Sequence, residues 1–157
     1  MSNEAKALRS ELKAAGFSGR DVTVRHNHFS LGSEIIVTIR NPEIERKAVK
    51  EVATSYERIS RCEFSGEILG GGNTYLDVNY SEAALEVRKN AVLPNINIAL
   101  ERLAAHPSDN RLEPAGDILI SGTNHDGFHN VYMNDRHIGR AYPDQYAAEA
   151  IARLIVG

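Results

Sequence analysis

Residues 21–39, DVTVRHNHFSLGSEIIVTI, carry the clearest structural pattern of the chain. Apolar and polar side chains alternate on both sides of a Gly-containing turn at residues 30–33. The alternating apolar positions are Val22, Val24, Ile35, Val37 and Ile39. Because successive side chains of a strand point to opposite faces, this pattern predicts two half-buried strands joined as a hairpin.

Helical patterns flank this hairpin on both sides. Before it, apolar residues recur at steps of three and four, at Ala5, Leu8, Leu12 and Ala15. Ser2 or Asn3 can cap the start of this helix, and Gly16 can end it. After the hairpin, Asn41-Pro42-Glu43 predicts a second helix, because a capping residue, a proline and an acidic residue follow in that order.

The chain continues with a third strand and a long helix. Alternation over 74–80 predicts the strand, with Leu76 and Val78 facing inward. Ser81 then caps a helix that reaches about Ala105 and is interrupted or restarted at Pro94.

The end of the chain is rich in turn residues and predicts smaller elements. Ile118 and Ile120 indicate a short strand. Residues 128–133 and 137–142 predict a hairpin around Asn134-Asp135-Arg136. Pro143 opens the last predicted helix.

This order of elements predicts an α+β fold. We expect a two-layer sandwich, with a small, mostly antiparallel sheet that carries helices on one face, followed by a C-terminal β-hairpin and helix. The predicted domains are residues 1–106 and a β-β-α appendage, residues 107–157, packed on the first.

Composition narrows the class of protein. The 157 residues carry a net charge of −3, and 42% are hydrophobic and 25% charged, values near the globular average. This excludes a disordered chain and a collagen-like repeat, and it disfavours a strongly basic nucleic-acid binder. The single Cys62 favours a reducing compartment, and no signal core or membrane-length apolar run is present, so we expect a cytoplasmic protein.

Histidines are the first candidates for chemistry. His26 and His28 lie two apart on a predicted strand, so their rings share a face, and such pairs often begin zinc sites. His125 and His129 flank a carboxylate in a second segment and are further weak candidates. The alternative is a strand that leaves the core with both rings at its rim, and we expect a protein without metal or other cofactor.

Two other motifs have an ordinary structural explanation. Gly70-Gly71-Gly72 leads into a strand rather than a helix, and no Lys-Ser/Thr follows, so a hairpin loop is favoured over a phosphate loop. Cys62 lies beside Arg61, but no local motif supplies a base for it, and no nucleophile elbow is present. We therefore predict that the protein is not an enzyme.

Basic residues suggest an alternative role as a small nucleic-acid-associated protein. Its candidate contacts are Arg25, Arg40, Lys47 and Lys50. Acidic residues alternate with the basic ones along the second helix, which is typical of a solvated helix face. The neutral balance makes nucleic acid the less favoured partner.

The first half also resembles a known domain family. The matching residues are the opening helix 5–13, residues 17–25, the turn and strand 29–37, the helix after Pro42 and residues 73–81. This pattern is similar to the large polyvalent protein-associated domain, type twenty-nine, although Asn41-Pro42 replaces an expected Gly-Pro pair. The resemblance implies an origin in a phage, plasmid or other mobile element, and it implies no catalytic residue.

Together these observations predict a non-enzymatic accessory protein that acts by protein–protein contact. A concrete form of this function is a protein that counters a host defence system. The predicted partner-binding residues are Tyr132, Tyr142 and Tyr146, since aromatic side chains often anchor interfaces. No membrane contact is expected, and the sequence does not indicate an oligomeric state.

Overall fold

The computed structural model describes residues 2–106, 111–123 and 127–156. These residues form an α+β structure, as predicted, and it contains two β-sheets rather than the one small sheet expected. The contacts divide the chain into two compact units, Met1–Ala84 (unit 1) and Leu85–Gly157 (unit 2).

Unit 1 contains a three-stranded sheet in the order β1-β2-β3. Its elements are α1 (Asn3–Ala14), β1 (Val22–Phe29), β2 (Gly32–Ile39), α2 (Arg46–Ala53), a short 3₁₀ turn (Thr54–Tyr56) and β3 (Asn73–Tyr80). β1 and β2 are antiparallel, whereas β2 and β3 are parallel. The helix α2 therefore lies in the connection between the two parallel strands, as such connections require.

The predicted ends of α1 are confirmed. The Ser2 hydroxyl accepts a hydrogen bond from the Ala5 amide at 3.2 Å, which is the N-cap arrangement. Gly16 follows the helix with a φ of +95°, a left-handed conformation that glycine adopts without a steric penalty.

The β1–β2 hairpin turns through Ser30 and Leu31 alone, with Phe29 paired to Gly32. Gly32 also pairs with Asn73 of β3. A Cβ atom on Gly32 would lie 2.4 Å from the Asn73 carbonyl oxygen. Only glycine allows the two backbones to approach this closely.

One face of the sheet forms the core of unit 1 with α1 and α2. The buried core residues are Ala5, Leu8, Leu12, Val22, Val24, Ile35, Val37, Ile39, Val49, Ala53 and Val78. The alternation read from the sequence therefore identified the inward face of each strand correctly.

The predicted start of α2 at Pro42 is wrong, because the helix begins at Arg46. The Asn41 side-chain oxygen instead accepts the Glu43 amide at 3.0 Å and forms a local turn. The Tyr80 hydroxyl accepts the Arg46 amide at 3.1 Å and donates to the Ile44 carbonyl at 2.8 Å. A side chain distant in sequence thus fixes where the helix begins.

Unit 2 is built on a four-stranded antiparallel sheet in the order β4-β5-β6-β7. Its elements are most of α3 (Glu82–Ala104), then β4 (Leu112–Ala115), β5 (Ile118–Thr123), β6 (His129–Met133), β7 (Arg136–Ala141) and α4 (Ala147–Val156). The sequence did not predict β4, whose four residues include Pro114.

The division between the units falls within α3, whereas the predicted domain boundary followed residue 106. Ser81 caps α3 through the Ala84 amide at 3.3 Å, and the helix continues past Pro94. The core of unit 2 consists of Ile96, Ala99, Leu103, Ala115, Ile118, Ile120, Val131, Ala141, Ile151 and Ala152. Because the later part of α3 supplies three of these residues, that part belongs with the second sheet.

The predicted hairpin at residues 128–142 is confirmed. Asn134 and Asp135 both have positive φ, +50° and +60°, as the two central residues of a type I′ turn do. The last helix begins at Ala147 rather than at the predicted Pro143. Residues 143–146 form a turn instead, in which the Ala147 amide donates to the Asp144 carbonyl at 3.0 Å.

Candidate functional site

The outer surface of the β6–β7 hairpin gathers aromatic and cationic side chains. Val131 and His129 of β6 are buried toward the core. Side chains alternate along a strand, so Asn130 and Tyr132 point to the opposite, outer side. Their partners across the hairpin are Arg140 and His137.

A β-bulge keeps both partners on the same side. The register shifts between Val131, which pairs with Gly139, and Tyr132, which pairs with His137. Ile138 is the extra residue and packs against the core. Without the bulge, His137 and Arg140 are three residues apart and face opposite sides.

Two ring contacts extend this surface. The Tyr142 ring lies 4.5 Å from the Phe128 ring, centroid to centroid, and the Arg140 guanidinium carbon is 6.0 Å from the Phe128 centroid. The Tyr132 and His137 rings meet edge to face at 5.5 Å. We call this surface the hairpin face, and it consists of Phe128, Asn130, Tyr132, His137, Arg140 and Tyr142.

Two of the three predicted partner-binding residues, Tyr132 and Tyr142, therefore lie on one face, and Tyr142 is 65% exposed. Tyr146, 62% exposed, lies in the turn before α4. Phe128, His137 and Arg140 were not predicted from the sequence. The predicted hairpin was the available signal, but the bulge that aligns these side chains has no pattern in the sequence.

His26 and His28 of β1 lie together, with ring centroids 4.3 Å apart. The His26 side chain is only 3% exposed, and its Nε2 lies 3.7 Å from the Glu4 carboxylate. Its Nδ1 is hydrogen-bonded to the Ser2 hydroxyl. Across residues 2–106, 111–123 and 127–156, no three His, Cys, Asp or Glu side chains are placed to hold a metal ion.

Ser2, His26 and Glu4 bring together the residue types of a catalytic triad, but their contacts are structural. The Ser2 oxygen accepts the Ala5 amide as the helix cap. The 3.7 Å separation between His26 and Glu4 is longer than a hydrogen bond. The other Glu4 oxygen lies 3.7 Å from Arg58. This cluster therefore ties the start of α1 to β1.

The remaining histidine candidates belong to unit 2. His129 is 9% exposed, and its Nδ1 lies 2.8 Å from the Ser121 carbonyl oxygen. Since a carbonyl oxygen only accepts, this ring nitrogen carries the proton and donates it to that bond. His125 lies outside the described residues.

The four predicted nucleic-acid contacts do not share a surface. Arg25 is exposed on the outer face of the first sheet, since Val24 and its alternate neighbours face the core. Lys47 and Lys50 are exposed on α2, which packs on the core side of that sheet. Arg40 follows the end of β2 and is also exposed. A phosphate backbone binds along one continuous positive surface. Side chains on opposite sides of one sheet do not form such a surface.

Cys62 lies in a tight local turn in which the Gly66 amide donates to the Cys62 carbonyl at 2.9 Å. A hydrogen bond from the Ser65 side chain, supported by the backbone of Ser65 and Phe64, lowers the pKa of the Cys62 thiol. These contacts come from hydroxyl and amide groups of the turn, and not from a general base.

The glycine segment forms a turn into β3. Gly71 and Gly72 have φ values of +92° and +72°. The side chain of the next residue, Asn73, accepts the Ser60 amide at 2.8 Å and donates to the Leu69 carbonyl at 2.7 Å. The glycines thus allow the chain to reverse direction just before Asn73, whose side chain holds the turn by hydrogen bonds. This arrangement fits a connecting loop better than a phosphate loop.

Comparison of the chain with protein-family models, with curated proteins and with solved structures finds no match. None of the helices in the described part of the chain is long and apolar enough to span a membrane.

Proposed function

We propose that the protein acts by binding another protein through the hairpin face. The observation that carries this proposal is the contact of exposed Tyr142 with Phe128, with Arg140 beside the same ring. Tyrosine and arginine are enriched among the residues that dominate protein–protein binding energy.

The backbone beneath this face favours recognition. Four antiparallel strands support it, and the two-residue turn at Asn134 and Asp135 closes the hairpin. Because the backbone of paired strands is already ordered, binding has to order only the side chains. The outer face thus offers pre-positioned rings and one cation to a partner.

In the cell, we propose that the protein is a non-enzymatic accessory factor of a phage, plasmid or other mobile element, and that its partner belongs to a host defence system. Support for this origin is the resemblance of residues 3–81 to the polyvalent protein-associated domain. An accessory factor of this kind requires a shaped surface and no reaction centre.

Affinity capture from host cells during infection or conjugation tests the proposal. The full chain is compared with a Tyr142→Ala/Arg140→Glu variant. We expect the unchanged chain to capture a specific protein. Recovery of that protein should fall at least about tenfold with the variant, because the variant lacks two side chains that anchor the interface. Cross-linking from His137 then places the partner on the hairpin face.

The matched control is Arg25→Glu/Asn79→Ala on the outer face of the first sheet, where both side chains are exposed. This variant should capture the same protein at an unchanged level. Equal loss with both variants, or capture that is insensitive to either, contradicts the proposal. A nucleic-acid gel shift that weakens steeply with salt, without protein capture, favours the alternative function instead.

A further inference from the structure

A groove in unit 1, separate from the hairpin face, combines an apolar floor with a cationic rim. It lies between α1 and β1 and has a volume of about 310 Å³. The apolar side chains along it are Leu12, Phe17, Val22 and Val24, and the charged ones are Arg9 and Lys13. No carboxylate is among its lining residues.

Charge decides which kind of molecule fits. The chain as a whole is acidic, with a net charge of −3, yet both ionised side chains of this groove are cations. Arg9 and Lys13 are four residues apart on α1 and so lie on the same side of the helix. An anion attached to an apolar body matches the charge of the rim and the apolar character of the floor.

The edge of β1 favours a small molecule over an added peptide strand. A peptide that extends a sheet needs the outward backbone groups of the edge strand. Here the Arg9 guanidinium donates to the Val24 carbonyl, and the Val22 amide donates to the Ser18 carbonyl at 3.0 Å. Two of the groups that a peptide backbone would use are therefore already bonded.

From these features we propose that the groove binds a small carboxylic acid with an aliphatic or aromatic body. The carboxylate lies beside Lys13 and Arg9, and the body covers Phe17, which is partly exposed, whereas Leu12 beneath it is buried. The volume is at the lower end of the range for small-molecule sites. This site is independent of the protein-binding function proposed above.

Amide NMR titration of the full chain with octanoate tests the site, with octylammonium and octanol as probes of equal chain length. We expect octanoate to shift the amides of Lys13, Phe17 and Val24 with a Kd of roughly 0.1–1 mM, typical of so few atoms. Octylammonium should bind at least about tenfold more weakly, because the rim repels it.

Lys13→Glu should weaken octanoate binding at least about fivefold, and Lys13→Gln roughly two- to fivefold, as expected for an exposed ion pair. Lys6→Glu is the matched control, because Lys6 is also exposed on α1 and does not line the groove. This control should leave the Kd within about twofold, the size of a distant surface charge effect.

Several results would overturn the inference. Octanol or octylammonium binding as tightly as octanoate shows an apolar groove without anion preference. Shifts that map outside residues 9–24, or a Kd unchanged by Lys13→Glu in a variant with a folded spectrum, remove the site. A short peptide ending in leucine that binds more than about tenfold tighter than octanoate assigns the groove to a protein segment.

Discussion

The two sheets of this protein bury aliphatic side chains in the same way and differ on their outer faces. Each packs helices on one side, and in each the inward positions are aliphatic. The outer face of the first sheet mixes both charges, with Arg25 on β1, Glu34 on β2 and Asp77 on β3, and it also carries the ring pair of Phe29 and Tyr75. The hairpin face of the second carries rings with Arg140 beside one of them. Aliphatic alternation builds the fold in both, and the outward residues alone distinguish the two outer faces, because charges of both signs lie beside the rings of the first and a cation lies beside those of the second.

The sheets also differ in how their strands meet. The first joins β2 to β3 in parallel, with Gly32 packed directly on the backbone of Asn73. The second is a meander of neighbouring strands, in which Gly139 faces a side chain, Leu154 of α4. The same substitution at the two glycines therefore meets a rigid obstacle in one unit and a movable one in the other.

Gly32→Ala should give the largest effect. Its Cβ would lie 2.4 Å from the Asn73 carbonyl oxygen, and the backbone can yield only by separating the paired strands. We expect a loss of more than about 3 kcal/mol of unfolding free energy, above the usual cost of overpacking. Hydrogen exchange followed by mass spectrometry should show the loss of protection in β2 and β3.

Gly19→Ala is the control for this change, because a Cβ at Gly19 has no neighbour within 4 Å. The control should retain the unfolding free energy of the unchanged chain to within about 0.5 kcal/mol. Equal stability of the Gly32 and Gly19 variants would show that the close contact between β2 and β3 is wrong.

Gly139→Ala should be milder. The added Cβ would lie 2.6 Å from a terminal methyl carbon of Leu154, which can change rotamer. We expect a loss of about 1–2 kcal/mol, observed as faster hydrogen exchange in α4 and β7. In a Gly139→Ala/Leu154→Ala double variant the clash is relieved, so the loss of unfolding free energy should be smaller than the sum of the two single losses. Strict additivity of the two losses would contradict this contact.

The smallest effect should be a change of stability with pH, at high pH, that depends on Tyr56 of unit 1. Burial, the hydrogen bond to Glu11 and the nearby charges of Glu11 and Glu4 raise the pKa of Tyr56 to about 12. Below pH 10 the phenol is protonated in both folded and unfolded states. Between pH 10 and 12 the unfolded chain releases this proton first, so its contribution to stability declines as the pH rises.

Comparison of the unchanged chain with Tyr56→Phe isolates this contribution from other groups that titrate there. The stability difference between them should be constant below pH 10 and should shrink from pH 10 to 12, as measured by urea unfolding. A constant difference for Tyr56→Phe up to pH 12 would contradict the Glu11 contact.

The structural features that were predicted correctly are those whose sequence signals lie within a few residues of each other. The α1 cap at Ser2, the β1–β2 hairpin and the turn at Asn134 and Asp135 depend on neighbours within a few residues, and all were predicted. The start of α2 was predicted wrongly, because the Arg46 amide at that position bonds to the hydroxyl of Tyr80, which is distant in sequence. The candidate site shows the same pattern, since Tyr132 and Tyr142 were proposed from the sequence and Arg140, which the bulge places on their face, was not.

The α+β class, the inward faces of the strands and most of the elements follow from local patterns in the sequence, because side-chain period and capping are properties of adjacent residues. The division within α3, the parallel pairing of β3 beside Gly32 and the bulge at Ile138 that places His137 and Arg140 together became visible only in the folded chain. Each depends on which distant segments pack against each other, and no local pattern of residues specifies that choice.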